Sequence, residues 1–300
     1  MVVRCPNNTR SNVVPGQLSN IGLICPDLGI TKRSRNENDV LLLNSGVFPY
    51  ELRITDDRPT LIWPAMAGVE TYQVSLYQSN TDGLEKLWQG ETAANSVEYD
   101  GPPLSVDVAY SVIVESQVVD MPCGEAESDV DRWRLGGCFR ANLQRLDAEE
   151  DMALTQALAS VEAADFGDDE IRSLALAYAY REAGAYDQVI GLVAPLLEAG
   201  EQPAAVYELL ADSYLRAGWI DQAQTAFADA ERLATLDGNF QTRLAARLGL
   251  VKVMAWRMQA EVAVDYLWAA MRDVSYRQDQ EQADVILQWI GKLESFLPKS

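Results

Sequence analysis

Residues 207–230 read YELLADSYLRAGWIDQAQTAFADA, a pair of amphipathic helices in which small residues fall at fixed places among bulky ones. Counted from its first residue, the stretch runs Tyr207-x2-Leu210-Ala211-x2-Tyr214, then Gly218, Ala223-x3-Phe227 and Ala230. Moved back by 34 residues, the pattern returns as Leu176-Ala177-x2-Tyr180, Gly184, Val189-x3-Val193 and Leu196. The turns correspond too, AGAYDQVI at 183–190 and AGWIDQAQ at 217–224. A third, looser unit has Leu250 and Val251 in place of Leu210 and Ala211, with Ala263-x3-Leu267-x2-Ala270 in its second helix. That second helix is displaced by 40 residues, so its first helix or turn is expected to be six longer.

Such a unit cannot bury its apolar face alone and must stack on its neighbours. Small residues at 177, 211 and 223 let helix axes approach, and Ala230 leaves room for the helix that follows. Gly184 and Gly218 suit a left-handed residue that ends the first helix of each pair. Tyr180 and Tyr214 fill the space between helices, and Pro203 suits the start of a helix, where its missing N–H is not needed. Upstream, 142–164 reads as one long amphipathic helix, broken at ADFGDDE, where Asp168 is expected to cap the next. The last helix, 276–297, carries Ile286, Leu287, Ile290, Leu293 and Phe296 and is expected to close the stack.

The spacing follows the tetratricopeptide template W-x2-L-G-x2-Y…A-x3-F, so the chain resembles a tetratricopeptide-repeat protein over roughly 165–297. The resemblance implies an α-helical solenoid that takes a protein or peptide partner on the concave wall built by the first helix of each repeat. The family's groove-facing positions map onto Tyr178 and Arg181, then Glu208, Asp212 and Arg216, then Lys252 and Trp256. The carboxylate-clamp version of such grooves carries Lys, Asn and Arg, whereas this chain has Glu208 and Asp212. A basic or mixed peptide is therefore expected in place of a C-terminal carboxylate.

Between 46 and 139 the pattern changes to period-two alternation, the mark of half-buried strands. Leu61 and Trp63 share a face, as do Tyr72, Val74 and Leu76 against Gln73 and Ser75, and later Tyr110, Val112 and Val114. SNTDG, TAANS and DGPPLS supply turns between them. Trp63, the Tyr72-Val74-Leu76 strand, Leu104 and the Tyr110-Val112-Val114 strand resemble a fibronectin type III domain. The resemblance implies an antiparallel β-sandwich in which the Trp and the late Tyr are core residues, not a site. A fibronectin-like sandwich followed by three helical repeats is similar to a bacterial, cyanobacterial-type family of envelope-associated proteins. The expected organisation is multidomain, β then α: a small irregular or β segment at 1–45, the sandwich at 46–139, and the helical domain with its capping helix at 140–300.

Composition narrows the function. The chain of 300 residues has 48% apolar residues and a formal charge of −21. Residues 1–45 carry a net +2, residues 46–139 a net −11 and residues 140–300 a net −12. An acidic chain with no concentrated Lys/Arg face is a poor match to nucleic acid or to anionic lipid. The segment Lys32–Asp39 is too mixed in sign to be a nucleic-acid arm. No histidine is present, which removes His-dependent nucleophile activation and His-bearing zinc sites. The pair Glu149-Glu150 and the run Asp168-Asp169-Glu170 read as solvated or helix-N-terminal acids, because adjacent helical residues point about 100° apart. With no phosphate loop or nucleophile elbow either, a non-enzymatic scaffold without cofactor or metal is expected, the alternatives being an envelope structural or surface-recognition module acting through the sandwich, or an accessory domain of a larger enzyme. No run reaches the ~20 apolar residues of a membrane span, so no membrane insertion is expected.

Cys5, Cys25, Cys123 and Cys138 all fall in the β-rich half, none of them in a CxxC spacing. Four cysteines allow three pairings. The local one joins Cys5 to Cys25 and Cys123 to Cys138, and would place the chain in an oxidising compartment. A periplasmic or cell-envelope location is expected if a leader is missing from this chain, with the cytoplasm as the alternative.

Overall fold

The computed structural model describes residues 2–4, 10–12, 51–66, 68–80, 83–116, 138–200, 202–257, 259–277 and 280–294. Among them a β region precedes eight α-helices. β1 (Val2–Arg4) pairs antiparallel with β2 (Arg10–Asn12). A five-stranded sheet has the order β3 (Glu51–Ile54), β9 (Cys138–Arg145), β8 (Ala109–Ser116), β5 (Tyr72–Asn80) and β6 (Gly83–Thr92). Its β3–β9 pair is parallel and its other pairs antiparallel. β4 (Thr60–Ile62) pairs antiparallel with β7 (Ser96–Glu98).

Period-two alternation explains the inner face. Tyr72, Val74 and Leu76 on β5, Tyr110, Val112 and Val114 on β8, and Phe139, Ala141 and Leu143 on β9 are all buried. Leu61 and Trp63 are buried in the same cluster, with Trp63 edge-on to Tyr72 at 5.5 Å between ring centroids. Two expectations need correction. Ser75 is buried, at 2% exposure, although it faces away from Val74. Residues 142–145 belong to β9 rather than to a helix, so the expected helix over 142–164 starts only after Asp147, and the strand runs across the 139/140 boundary. CFRANLQR alternates buried and half-buried positions, and this sheet pairing on both sides overrides the helix-forming Leu, Gln and Arg.

The helices are α1 (Ala148–Ala163), α2 (Asp169–Ala183), α3 (Tyr186–Ala199), α4 (Ala204–Arg216), α5 (Ile220–Leu236), α6 (Phe240–Trp256), α7 (Ala260–Arg277) and α8 (Gln280–Glu294). Consecutive helices pack on one another from α1 to α8. Asp168 caps α2 through the Glu170 N–H, as its position in ADFGDDE predicts. Gly184 and Gly218 sit at φ 78° and 82°, the left-handed region that lets each first helix turn into its second. Ala177, Ala211, Ala223 and Ala230 are completely buried. Tyr214 stacks on Trp219 at 5.3 Å. In the third unit α6 has 17 residues against 13 in α4, which takes up four of the six extra residues as an added N-terminal turn. In α8, Ile286, Trp289, Ile290 and Leu293 are buried, whereas Leu287, expected in the closing face, is 49% exposed.

No gap separates the two regions. One continuous cluster of buried side chains runs from the sheet into the helices. Asp147 caps α1 by accepting from the Glu149 and Glu150 N–H groups, and Glu150 Oε2 accepts back from the Asp147 N–H. The other oxygen of Glu150 takes the Arg53 guanidinium of β3 at 2.9 Å. The Arg53 N–H donates to the Gly184 carbonyl, and the Leu146 N–H to that of Ile54. Close by, Asp187 Oδ2 accepts from Gln188, but Oδ1 is buried without a partner. One repeat later the corresponding Asp221 pairs with Arg257. At the 40-residue offset Arg257 corresponds to Ala217, so the position that supplies a guanidinium to Asp221 holds no charge one repeat earlier.

The first and last residues of the expected organisation are only partly within view. Cys138 is not a free thiol, while Cys5, Cys25 and Cys123 lie outside the described residues. So do the apolar runs at 21–24 and 40–43, the polar run at 32–39, and Phe296.

Two consequences are measurable. A Cβ on Gly249 would be driven into the Phe227 ring. Gly249→Ala should therefore destabilise by about 1–3 kcal/mol through overpacking, despite the ~1 kcal/mol that Ala gains over Gly in a helix; urea unfolding reads the difference. Burial, and secondarily Asp56, raise the Asp187 carboxyl above its ordinary value. Folding then takes up a proton between the unfolded and the raised folded pKa, so this group's contribution falls as pH rises through that window. Asp187→Asn should raise stability at neutral pH by about 1 kcal/mol and flatten the pH dependence of the urea midpoint in the acidic range.

Candidate partner-binding face

The first helices of the three hairpins, α2, α4 and α6, carry all seven candidate groove residues. Tyr178 and Arg181 lie three apart on α2 and share a face. Glu208, Asp212 and Arg216 recur every four residues on α4, and Lys252 and Trp256 are likewise four apart on α6. This spacing places each set along one stripe of its helix.

The structure draws five of them into one electrostatic cluster. Asp212 bridges α2 and α4, with Arg181 at 3.7 Å from Oδ2 and Arg216 at 3.8 Å from Oδ1. The Asp212 and Arg181 side chains are 17% and 21% exposed, so the pair is shielded from bulk solvent. Burial alone works against the Arg181 charge, but Asp212 and then Glu208 outweigh it and hold the guanidinium above its ordinary pKa. Tyr178 is buried, at 5% exposure. Burial first, and the Glu208 carboxylate second, push its phenol far above the usual range, with Arg181 opposing. Tyr178 is thus a neutral phenol at any physiological pH.

The other two stand further along. Lys252 on α6 is buried at 9% exposure, and Trp256 is half-buried. Their helix, α6, packs against α4.

Two features escaped the sequence. Tyr186, the first residue of α3, packs into the same cluster: burial raises its phenol, and Asp212 adds to the effect. Its only signal is its place in the turn AGAYDQ, where the next repeat has Ile220. The second is a network on the side of α6 that meets α5 and α7. Arg243 grips Asp273 of α7 with two nitrogens at 2.8 and 2.9 Å. Arg247 reaches Glu231 of α5 at 2.7 Å, Asp273 at 2.6 Å and the Ala269 carbonyl at 3.0 Å. Arg243 lies in the added first turn of α6, which gives that insertion a packing role. Arginines four apart on a predicted helix are the trace this network leaves in the sequence.

Among the described residues, no group of three or more Cys, Asp or Glu side chains is arranged to hold a metal ion. No helix among them is long and apolar enough to cross a membrane. The clustered charges are balanced by one another. No protein-family model matches the chain, and no curated protein matches it. Among solved structures it is similar to one titled "MamA MSR-1 C2", at 18% identity and a TM-score of 0.32, over 47% of this chain and 86% of that one.

Asp212 is the keystone of the cluster. Asp212→Asn keeps its shape but leaves two half-buried guanidiniums side by side, and should cost about 1–2 kcal/mol. Arg216→Gln, which removes the more exposed partner, should cost less than half as much. Thermal unfolding of both variants checks the order.

Proposed function

We propose that this chain is a non-enzymatic interaction scaffold, a fibronectin type III-like sandwich followed by a short tetratricopeptide-type solenoid, and that a protein or peptide binds along the wall formed by α2, α4 and α6. The observation that carries the reading is the ion-paired cluster of Arg181, Asp212 and Arg216 across the first helices of two successive hairpins; Glu208, Lys252 and Trp256 are assigned to the same wall by their helix spacing. A wall of mixed charge with an aromatic end offers ion-pair and stacking contacts to an extended peptide. Asp212 is ion-paired with two arginines, and Glu208 is the second carboxylate of the wall, assigned to a basic group of the partner by its place in the stripe.

The β region supports the same picture. The pairings β4–β7 and β6–β5–β8–β9 suit two sheets around the Trp63 core. The Tyr110 hydroxyl accepts from the Ser105 N–H at 2.8 Å, a tyrosine at the start of a late strand tied back to the preceding loop. Under this reading the unit boundaries are 1–45, 46–139 and 140–300, with β9 completing the sandwich past residue 139. The sandwich and the stack share a core and act as one body. The pairings Cys5–Cys25 and Cys123–Cys138 and a periplasmic or envelope location belong to the same proposal.

The test is a crosslinking pull-down from the native host with the whole chain as bait. Reversing Asp212 is unsuitable, because it would add a third cation between Arg181 and Arg216. Glu208→Gln combined with Trp256→Ala should lower capture of the dominant partner about tenfold or more, with the unfolding temperature moving by only a few degrees. Equal capture by the folded double variant would rule the wall out as the binding element.

A further inference from the structure

The five-stranded sheet ends differently on its two sides. At β3 the helical stack takes up the edge: the Arg53 N–H donates to the Gly184 carbonyl, and α3 packs against the strand. At the other end β6 has a neighbour, β5, on one side only. Alternate residues of such a strand point their N–H and C=O groups away from the neighbour, so Gly83–Thr92 presents an open edge. None of these residues is buried. Among the described residues, no backbone hydrogen bond from another element reaches them besides those of β5.

Lysines and bulges commonly block such an edge, and β6 has both. Leu87 is an extra residue between the Tyr77–Lys86 and Leu76–Trp88 pairs. Neither long side chain at the bulge stands across the edge, however. Lys86 lies on the sheet face, 5.5 Å over the Tyr77 ring, and donates to Gln89 Oε1 at 3.1 Å. The Trp88 indole turns to the residues after β7, donating to Asp100 at 2.6 Å and meeting Tyr99 edge-on.

The strand complements itself when reversed. Lys86, Gln89 and Glu91 stand opposite Tyr77, Ser75 and Gln73 and so share one face. Laid antiparallel against a second copy with Gln89 opposite Gln89, β6 sets Trp88 against Gly90. One step on, past the extra Leu87, Lys86 meets Glu91, and beyond it Glu85 meets Thr92. Each contact occurs twice across the two-fold axis. Opposite charges face each other, no like charges do, and the largest side chain meets the smallest residue.

We propose that β6 pairs antiparallel with β6 of a second copy of this chain, joining two five-stranded sheets into one. The β3 end of each sheet is taken by its own helical stack, so the association closes at two copies. This surface is separate from the α2–α4–α6 wall and does not depend on it.

Sedimentation equilibrium of the whole chain over a wide micromolar range tests the pairing. The mass should rise from the 33.1 kDa of one chain to twice that value. Lys86→Glu and Glu91→Lys, each alone, set like charges against each other at both symmetric contacts and should weaken association at least tenfold. An equimolar mixture of the two variants should associate again, because every 86–91 contact then joins opposite charges. Both positions are exposed, so unfolding temperatures should stay close to that of the unaltered chain. A chain that stays monomeric throughout, or single variants that associate as tightly as the unaltered chain, overturns the pairing. Folded single variants that fail to associate even when mixed overturn the antiparallel register.

Discussion

The helical half depends on the fit between large rings and residues that have almost no side chain. Phe227 of α5 lies where Gly249 of α6 leaves its backbone bare, and Ala223 and Ala230 flank it on its own helix with no exposed surface. Dispersion between close-packed surfaces falls off within a fraction of an ångström, so such a fit either forms fully or fails. Once it forms, the distance between α5 and α6 is set. Arg247 can then span from Glu231 to Asp273, and Arg243 can reach the same carboxylate. The ion pairs follow from the packing distance and add direction to a contact that dispersion alone would leave free to slide.

The same hierarchy explains where charge accumulates. Neighbouring first helices bring Asp212 between two arginines, in surroundings only partly open to solvent. Each charge is tolerable because the others are present. Asp187 shows the opposite case: it stands at the same place in its hairpin as Asp221, but the following hairpin brings it no arginine. A repeat copies the acid faithfully and leaves its partner to the neighbouring unit.

Legibility in the sequence divided along the same line. Features set by a residue's own backbone or its near neighbours could be read directly: the left-handed Gly184 and Gly218, the Asp168 cap, the buried alanines and the alternation of β5 and β8. The seven candidate residues could be placed on α2, α4 and α6 because a helix stripe depends only on spacing. What could not be read was decided by contacts distant in the chain. CFRANLQR has a composition tolerable in a helix, and only its pairing with β3 and β8 makes it a strand. Ser75 is buried by its neighbours on the sheet's second face, and the Arg243–Asp273 pair joins residues 30 apart. The added turn of α6 was visible as an offset, while its purpose was not.

The connection from sheet to stack consists of Leu146 and Asp147 alone, and Glu150 closes it by gripping both the helix start and Arg53. In mechanical terms this is a welded joint and not a hinge. A pull on β3 is carried through one carboxylate into the axis of α1, and through the Gly184 carbonyl into the first hairpin. The chain would transmit load along its length as a strut, with the joint and not a flexible linker setting how far its two halves can be drawn apart.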